Sequence, residues 1–144
     1  EEAIEKGILA VGAEAVGAME VLYKSTVEYC KTREQFGQPI GKFQVLQHRM
    51  VDMFMEHEQS KSLLYMAAIK MSSGDESERK KSISALKVQV GKSGRFVGQN
   101  AIQLHGGMGM TDELNIGHYF KRLTAIETLF GNVDHHLKKY SNVA

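Results

Sequence analysis

The sequence has few of the residues that interrupt helices or cross-link a fold. It contains no tryptophan, one proline and one cysteine in 144 residues. A single cysteine, Cys30, excludes an internal disulfide, so a reducing compartment is the expectation. One proline and few consecutive β-branched residues indicate an all-helical protein.

Charge of one sign is also scarce, and so are long apolar runs. The formal net charge is +1 at pH 7. This balance argues against a dedicated nucleic-acid binder, which needs a large basic excess to contact phosphates. The apolar runs are far shorter than a bilayer span, so we expect no membrane-spanning helix. Because the sequence begins at Glu1 without a methionine, we expect residues 1–144 to be one domain of a longer chain.

The apolar residues recur at the spacing of long amphipathic helices. The inner face predicted for the first helix, which runs to about Lys31, consists of Ile4, Ile8, Val11, Ala15, Met19, Leu22, Thr26 and Tyr29. That of the second consists of Phe43, Leu46, Met50, Met53, Phe54, Leu64, Ala68 and Met71. That of the third consists of Ile83, Leu86, Val90, Val97, Ala101 and Leu104.

Breaks between these patterns predict where the helices end. Gly37, Pro39 and Gly41 argue against regular structure after the first helix. Gly74 predicts the end of the second helix, and Asp75, followed three residues later by a glutamate, predicts a capped start of the third. A short segment near 116–123 and a last helix near 127–140 complete the pattern. The sequence therefore predicts an all-α fold, an up-and-down four-helix-type bundle.

Three glycines lie inside the third predicted helix: Gly91, Gly94 and Gly98. Each lowers helix propensity by about 1 kcal/mol relative to alanine. We therefore expect close packing of a neighbouring element against this helix.

The histidines do not predict a metal centre. A di-metal bundle uses Glu-x-x-His pairs, but Val45 precedes His48 at that spacing. The adjacent residues His135 and His136 project to different faces of a helix. We expect no metal site.

Two stretches carry stronger signals. "TREQFGQPIGKFQ", Thr32–Gln44, is either an ordinary loop whose Phe36 and Ile40 close the end of the bundle, or a stiff loop that presents Arg33 to a phosphate. "QLHGGMGM", Gln103–Met110, is either a helix terminator or a glycine surface with backbone donors for a ring or a phosphate.

Together the two stretches are more specific than either alone. Arg-x-x-Phe-Gly-x-x-Ile-x-x-x-Gln at Arg33–Gln44, followed by Gln-x-x-Gly-Gly-x-Gly at Gln103–Gly109, resembles the acyl-CoA dehydrogenase family. The resemblance covers essentially the whole chain, as the family's C-terminal helical domain. The family's N-terminal helical domain and middle β-domain are absent from residues 1–144.

The resemblance implies a flavoenzyme that oxidises acyl-CoA thioesters to trans-2-enoyl products. It implies FAD as cofactor and an electron-transfer flavoprotein as electron acceptor. It also implies an oligomer, a dimer or tetramer, in the bacterial cytoplasm or the mitochondrial matrix.

The resemblance also assigns residues to a cross-subunit FAD site. Arg33 corresponds to an arginine that contacts the FAD diphosphate held by a neighbouring subunit. Phe36 and Gln44 correspond to further residues lining that site. The segment that lies against the adenosine end of FAD corresponds to Gln103, Leu104, His105, Gly106 and Gly107.

The catalytic base of the family is missing from its usual place. Counting from the glycine motif, the base position holds Phe130, which is followed by Gly131. Phenylalanine cannot accept a proton. The Thr and Gln that typically follow near the flavin are replaced by Asn132 and Asp134.

Other carboxylates do not restore an obvious base. Some branches of the family carry it on the first helix, where the corresponding residue is about Gly7. Glu5 is near Gly7 in sequence but points about 200° away around the helix. Glu127 precedes Phe130 by one turn and is the remaining substitute, although a solvated role suits it better. The catalytic residue therefore stays unidentified.

Three hypotheses remain open. The chain belongs to an active acyl-CoA dehydrogenase whose base is displaced or supplied by other domains. Alternatively, it belongs to a non-catalytic subunit of a heteromeric acyl-CoA dehydrogenase, of the kind that acts on dicarboxyl or steroid side-chain thioesters. The third hypothesis is a helical bundle that serves only protein–protein interaction.

Overall fold

Residues 1–142 fold around three long helices and two short ones. The computed structural model describes residues 1–142. The helices in this range are α1 (Glu2–Thr32), α2 (Gln44–Met71), α3 (Glu76–His105), α4 (Ile116–Thr128) and α5 (Val133–Ser141). The predicted all-α bundle is confirmed.

Helix α3 lies at the centre of the bundle and contacts each of the other four helices. All six apolar residues predicted for its inner face are buried. They pack against apolar side chains of the neighbouring helices, among them Ile8, Met19, Leu22, Met53, Leu123 and Ile126. Burial of these side chains is the main source of stability for the bundle.

The glycines of α3 allow the close packing that their positions predict. A Cβ atom added to Gly91 would lie 2.7 Å from Val133 Cγ2 of α5. One added to Gly98 would overlap the ring of Phe120 on α4. The missing side chains therefore let α4 and α5 approach the backbone of α3.

The inner faces of α1 and α2 differ in part from the prediction. Ile4 is 51% exposed at the first turn of α1. On α2, Phe54 and Ala68 are exposed. Each of these two directly follows a buried residue, Met53 or Ala67, and so lies about 100° away around the helix. The buried seam of α2 is narrower than the apolar pattern suggests.

The prediction that the loop after α1 lacks regular structure was wrong. Strands β1 (Glu34–Gln35) and β2 (Gln38–Pro39) pair antiparallel. The two residues between them, Phe36 and Gly37, have φ of 57° and 77°. Positive φ at both positions is typical of the tight turns that join hairpin strands. A 3₁₀ turn at Ile40–Lys42 then leads into α2.

The boundary between α2 and α3 confirms one predicted cap and corrects another. The side chain of Asp75 accepts a hydrogen bond from the Glu78 amide at 3.1 Å, as the capping motif predicts. Gly74 does not end α2. The helix closes at Ser72, whose N–H donates to the Ile69 carbonyl at 3.1 Å without any left-handed residue.

The start predicted for the last helix, near residue 127, was wrong. Helix α4 continues to Thr128, and Phe130 and Gly131 then adopt φ of 59° and 102°. These left-handed conformations break the helix. Asn132 is the N-cap of α5, and its side chain accepts a hydrogen bond from the His135 amide at 3.0 Å.

Two kinds of feature are missing from residues 1–142. No helix there is both long and apolar enough to cross a bilayer. Within the same residues, no three His, Cys, Asp or Glu side chains come together in a group that suits a metal ion. The rings of His135 and His136 lie 5.1 Å apart and nearly perpendicular to each other.

Candidate functional site

One cleft gathers most of the residues expected to bind a cofactor. It lies where the end of α1, the hairpin and the end of α3 meet, and its volume is about 480 Å³. Its lining consists of Tyr29, Arg33, Gln35, Ile40, Gln103, Leu104, His105, Gly106, Gly107 and Met108. Six of the eight predicted residues therefore lie together, although they come from two distant parts of the chain.

The other two predicted residues lie outside this cleft. Phe36 is at the hairpin turn and is 90% exposed, with its ring edge-on to Phe43 at a centroid distance of 6.0 Å. The interpretation of this loop in which Phe36 closes the end of the bundle was therefore wrong, because the side chain is exposed. Gln44 is the exposed first residue of α2. Both side chains are available to a molecule that approaches from outside the chain.

Arg33 combines a fixed backbone with a free charge. Its N–H donates to the Tyr29 carbonyl at 2.8 Å, and its own carbonyl accepts from the Ile40 amide at 2.8 Å. The residue is exposed, and no carboxylate of residues 1–142 lies within 4.0 Å of its guanidinium. The cleft therefore carries a positive charge on Arg33, whose backbone is held by both flanking segments.

The end of α3 offers an open backbone surface. Gly106 has φ 60° and ψ −139°, a conformation that favours glycine. A Cβ atom added to Gly106 or Gly107 would meet nothing within 4 Å. The Gly106 N–H donates to the Gln103 carbonyl, so it is not the free donor that the sequence suggested. What Gly106 and Gly107 offer to a ligand is therefore an open backbone surface that a flat ring can approach closely.

His105 and Tyr29 join the two walls of the cleft. Their rings stack at a centroid distance of 4.3 Å, and the Tyr29 hydroxyl donates to the His105 carbonyl at 3.4 Å. His105 Nδ1–H donates to the Ala101 carbonyl at 2.8 Å. Burial lowers the pKa of His105, which keeps its ring neutral near pH 7. Leu104 and His105 are 5% and 4% exposed, so they face the cleft mainly through their backbone.

Sequence reasoning missed four of the ten lining residues, namely Tyr29, Gln35, Ile40 and Met108, and Tyr29 is the one that makes contacts across the cleft. Its spacing placed it on the inner face of α1, and it is half-buried there. The sequence did contain a signal that Tyr29 lies near Arg33: the two residues are four apart, so they lie on the same side of α1. Its stacking on His105 could not be read from spacing alone.

A second region contains both possible positions of the missing base. Phe130 is 45% exposed, and its ring lies directly against Gly7 of α1. A Cβ atom added to Gly7 would be 3.0 Å from Phe130 Cζ. The two positions are therefore neighbours in space, and neither carries a carboxylate.

The nearby glutamates are engaged elsewhere. Glu5 is 2% exposed, and its Oε2 accepts a hydrogen bond from Arg79 Nε at 2.7 Å. Glu127 is half-buried, and its Oε1 accepts a long hydrogen bond from the Val133 amide at 3.4 Å. Glu127 also lines a separate cleft of about 490 Å³, together with Asn132 and Asp134.

Comparison with protein families identifies the fold. Residues 1–141 match the family model described as "Acyl-CoA dehydrogenase, C-terminal domain". The chain is 34% identical over 130 residues to the L-prolyl-[peptidyl-carrier protein] dehydrogenase of Serratia sp. (strain ATCC 39006), covering 90% of the chain and 33% of that relative. It is 33% identical over 123 residues to acyl-CoA dehydrogenase IpdE2 of Mycolicibacterium smegmatis, covering 85% of the chain and 37% of that relative. The chain spans about a third of the length of these curated relatives.

Solved structures of similar proteins contain the same fold. PigA with FAD and proline superposes with a TM-score of 0.90 at 28% identity, over 96% of this chain and 36% of that one. The Tcur3481–Tcur3483 steroid ACAD has a TM-score of 0.92 at 27% identity, over 96% and 38%. A structure described as an electron transferring flavoprotein of Acidaminococcus fermentans has a TM-score of 0.90 at 29% identity, over 96% and 36%.

Proposed function

Because the chain belongs to the acyl-CoA dehydrogenase family, we propose that it is the C-terminal FAD-site and oligomerisation domain of an acyl-CoA dehydrogenase. The complete enzyme oxidises acyl-CoA thioesters to trans-2-enoyl-CoA and passes electrons to an electron-transfer flavoprotein. The observation that carries this proposal is the convergence of Arg33 and Gln103–Gly107 on one cleft. The remaining walls of the FAD site come from other domains and a neighbouring subunit.

The residues present suit the outer part of FAD. The free guanidinium of Arg33 suits a diphosphate, which arginine contacts through two parallel hydrogen bonds. The open backbone at Gly106 and Gly107 suits close approach of the adenosine. The exposed ring of Phe36 offers an apolar contact to a group held by another subunit. When bound, FAD supplies the acceptor for the hydride from the substrate β carbon.

Assembly is supported by an apolar surface on α2. This surface consists of Val51, Phe54, Met55, Tyr65 and Ile69, which are between 46% and 71% exposed. Exposed apolar side chains grouped on one face of a helix are typical of protein interfaces. A homo- or hetero-oligomer, a dimer or tetramer, would cover them and bring Arg33 to a neighbour's cofactor. The free Cys30 fits the bacterial cytoplasm or, in a eukaryote, the mitochondrial matrix.

A second candidate function is a non-catalytic subunit of a heteromeric acyl-CoA dehydrogenase. The observation that favours it is the contact between Phe130 and Gly7, which fills both positions of the family's base without a carboxylate. In this arrangement the chain shapes a FAD site, and a glutamate-bearing partner subunit removes the α proton.

The experiment that tests both candidates is purification of the full-length native protein with its partners. An absorption spectrum of the complex measures bound flavin, and native mass spectrometry measures subunit composition. Flavin with one subunit type supports the homo-oligomeric enzyme, and flavin with two types supports the heteromer. A complex without flavin would refute both and favour a bundle that serves only protein–protein interaction.

A further inference from the structure

The turn between α4 and α5 is held from inside the bundle by a lysine of α3. Lys87 is 1% exposed. Its Nζ donates to the carbonyls of Ile126, Glu127 and Gly131 at 2.9, 2.8 and 2.8 Å. Two of these carbonyls belong to the last turn of α4, and the third lies in the turn itself.

This geometry requires the charged form of the lysine. Three hydrogen bonds to carbonyls need three N–H donors, and a neutral amine has only two. The carbonyls at a helix C-terminus lack partners within the helix and carry partial negative charge. Lys87 therefore supplies the hydrogen bonds that the last carbonyls of α4 lack. The partial negative charge of those carbonyls in turn stabilises the ammonium group of Lys87.

A second buried side chain holds the adjacent carbonyl. His136 is 1% exposed, and its Nε2–H donates to the Phe130 carbonyl at 3.0 Å. The carbonyls of Phe130 and Gly131 are thus fixed by two different helices, α5 and α3. This matters because a phenylalanine at φ 59° is strained and persists only where its surroundings enforce it.

We propose that Lys87 is a positioning residue: it fixes the turn at residues 129–132 and so sets the direction of whichever side chain occupies position 130. In this chain that side chain is the Phe130 ring, which lies against Gly7. The inference rests on the proposed function only in identifying position 130 with the family's base. Lys87 acts through the backbone of the turn and does not itself touch substrate.

The test compares Lys87→Met with Lys121→Met, which removes an exposed ammonium from α4. The chain is labelled with 4-fluorophenylalanine, and Phe130→Leu identifies the Phe130 signal among the six phenylalanines. In Lys87→Met we expect the Phe130 fluorine resonance to shift and broaden. Amide exchange of Leu129 and Gly131 should accelerate at least tenfold, whereas amides of α1 and α2 should keep their rates. Lys121→Met should change none of these signals.

Two outcomes would overturn the proposal. One is an unchanged Phe130 resonance with unchanged exchange in the turn. The other is equal acceleration at every amide, which would mean that Lys87 only supports global stability. If Lys87→Met fails to fold, ¹⁵N NMR of the Lys87 side chain in the unmodified chain at pH 7 tests the proposal instead. A slowly exchanging NH₃⁺ group supports the proposal, and an NH₂ group or rapid exchange contradicts it. None of these readouts needs FAD or substrate, so they do not depend on the proposed function.

Discussion

At the level of single residues, Arg33 is the side chain most clearly available to a ligand. Its guanidinium has no carboxylate partner among residues 1–142, and its backbone is bonded on both sides. A charge-assisted hydrogen bond is worth about 1.5–3 kcal/mol. We therefore expect Arg33→Ala to weaken FAD binding by the full-length assembly by about 10- to 100-fold. The measurement is bound flavin per protein, followed by titration of the apoprotein with FAD.

The control for this prediction is Arg49→Ala on α2. Arg49 is also exposed but makes only a long contact, 3.4 Å, with Asn100 Oδ1. Both variants should unfold as apoproteins within about 0.5 kcal/mol of the unmodified protein, as is usual for surface substitutions. Unchanged flavin content in Arg33→Ala, together with loss of stability, would make Arg33 a structural loop residue instead.

His136 gives the molecule a predictable pH dependence. Burial lowers its pKa to about 4, well below the ordinary value of 6.5. Between pH 6.5 and 4 the unfolded chain therefore binds a proton that the folded chain does not. The free energy of unfolding should fall as pH decreases through this window, by up to about 3 kcal/mol. Burial also lowers the pKa of His57 and His105, which adds to the loss in the same direction.

Urea unfolding at a series of pH values between 7 and 4 measures this effect. In His136→Gln the amide N–H can still donate to the Phe130 carbonyl, but the side chain no longer titrates. The slope of unfolding free energy against pH should therefore be smaller in this variant than in the unmodified protein. His118→Gln is the control, because His118 is an exposed residue. Equal slopes in His136→Gln and His118→Gln would show that His136 is not the titrating group.

At the level of helices, Gly17 of α1 and Gly98 of α3 predict opposite effects of the same substitution, glycine to alanine. Alanine is preferred over glycine in a helix by about 1 kcal/mol. Gly17 on α1 has nothing within 4 Å of an added Cβ, so Gly17→Ala should stabilise the protein by about 0.5–1 kcal/mol. An added Cβ at Gly98 would overlap the Phe120 ring. Gly98→Ala should therefore destabilise by about 1–3 kcal/mol, the usual cost of overpacking.

Chemical denaturation of the two variants measures this difference directly. The sign of the change matters more than its size, because helix propensity alone predicts stabilisation in both. If Gly98→Ala proved as stabilising as Gly17→Ala, α4 would not approach α3 as closely as the structure indicates.

Helix faces and helix ends differed in how well the sequence predicted them. The face of α3 was predicted correctly because the other four helices contact this helix, so that all six residues of the predicted face are buried. The break at Phe130 was missed because a phenylalanine with positive φ leaves no compositional mark. The same reason hid the hairpin turn, where Phe36 occupies a position that asparagine or aspartate usually fills. Gly131 followed by Asn132 was the available signal for a new helix start.

At the level of the whole molecule, the cleft at the ends of α1 and α3 was more predictable than the region around Phe130 and Gly7. The cleft forms where α1 and α3 end, and the two motifs mark those ends in the sequence. Packing of α1 against α3 then brings Arg33 near Gly106. The base region depends on a contact between residues 7 and 130, which only tertiary structure reveals. The fold therefore explains why glycine occupies position 7: the Phe130 ring fills the space that a side chain would need.

That contact leads to a prediction about activity. If neither position carries a base, a homo-oligomer of the full-length protein should oxidise straight-chain acyl-CoAs only slowly. General-base catalysis typically contributes about 10²- to 10⁴-fold. Phe130→Glu places a carboxylate on the same fixed turn and removes the ring from Gly7. We expect it to raise turnover with a dye acceptor at least tenfold over the unmodified protein.

The control is Phe96→Glu, which adds a carboxylate on the exposed side of α3, outside both the apolar surface of α2 and the turn, and should leave turnover low. Flavin content must be matched among the three proteins, so that a change in turnover reflects chemistry and not cofactor loss. Ordinary dehydrogenase rates in the unmodified homo-oligomer would contradict the prediction. If Glu127→Gln then abolished those rates, the base would lie one turn earlier on α4, and no glutamate-bearing partner subunit would be needed.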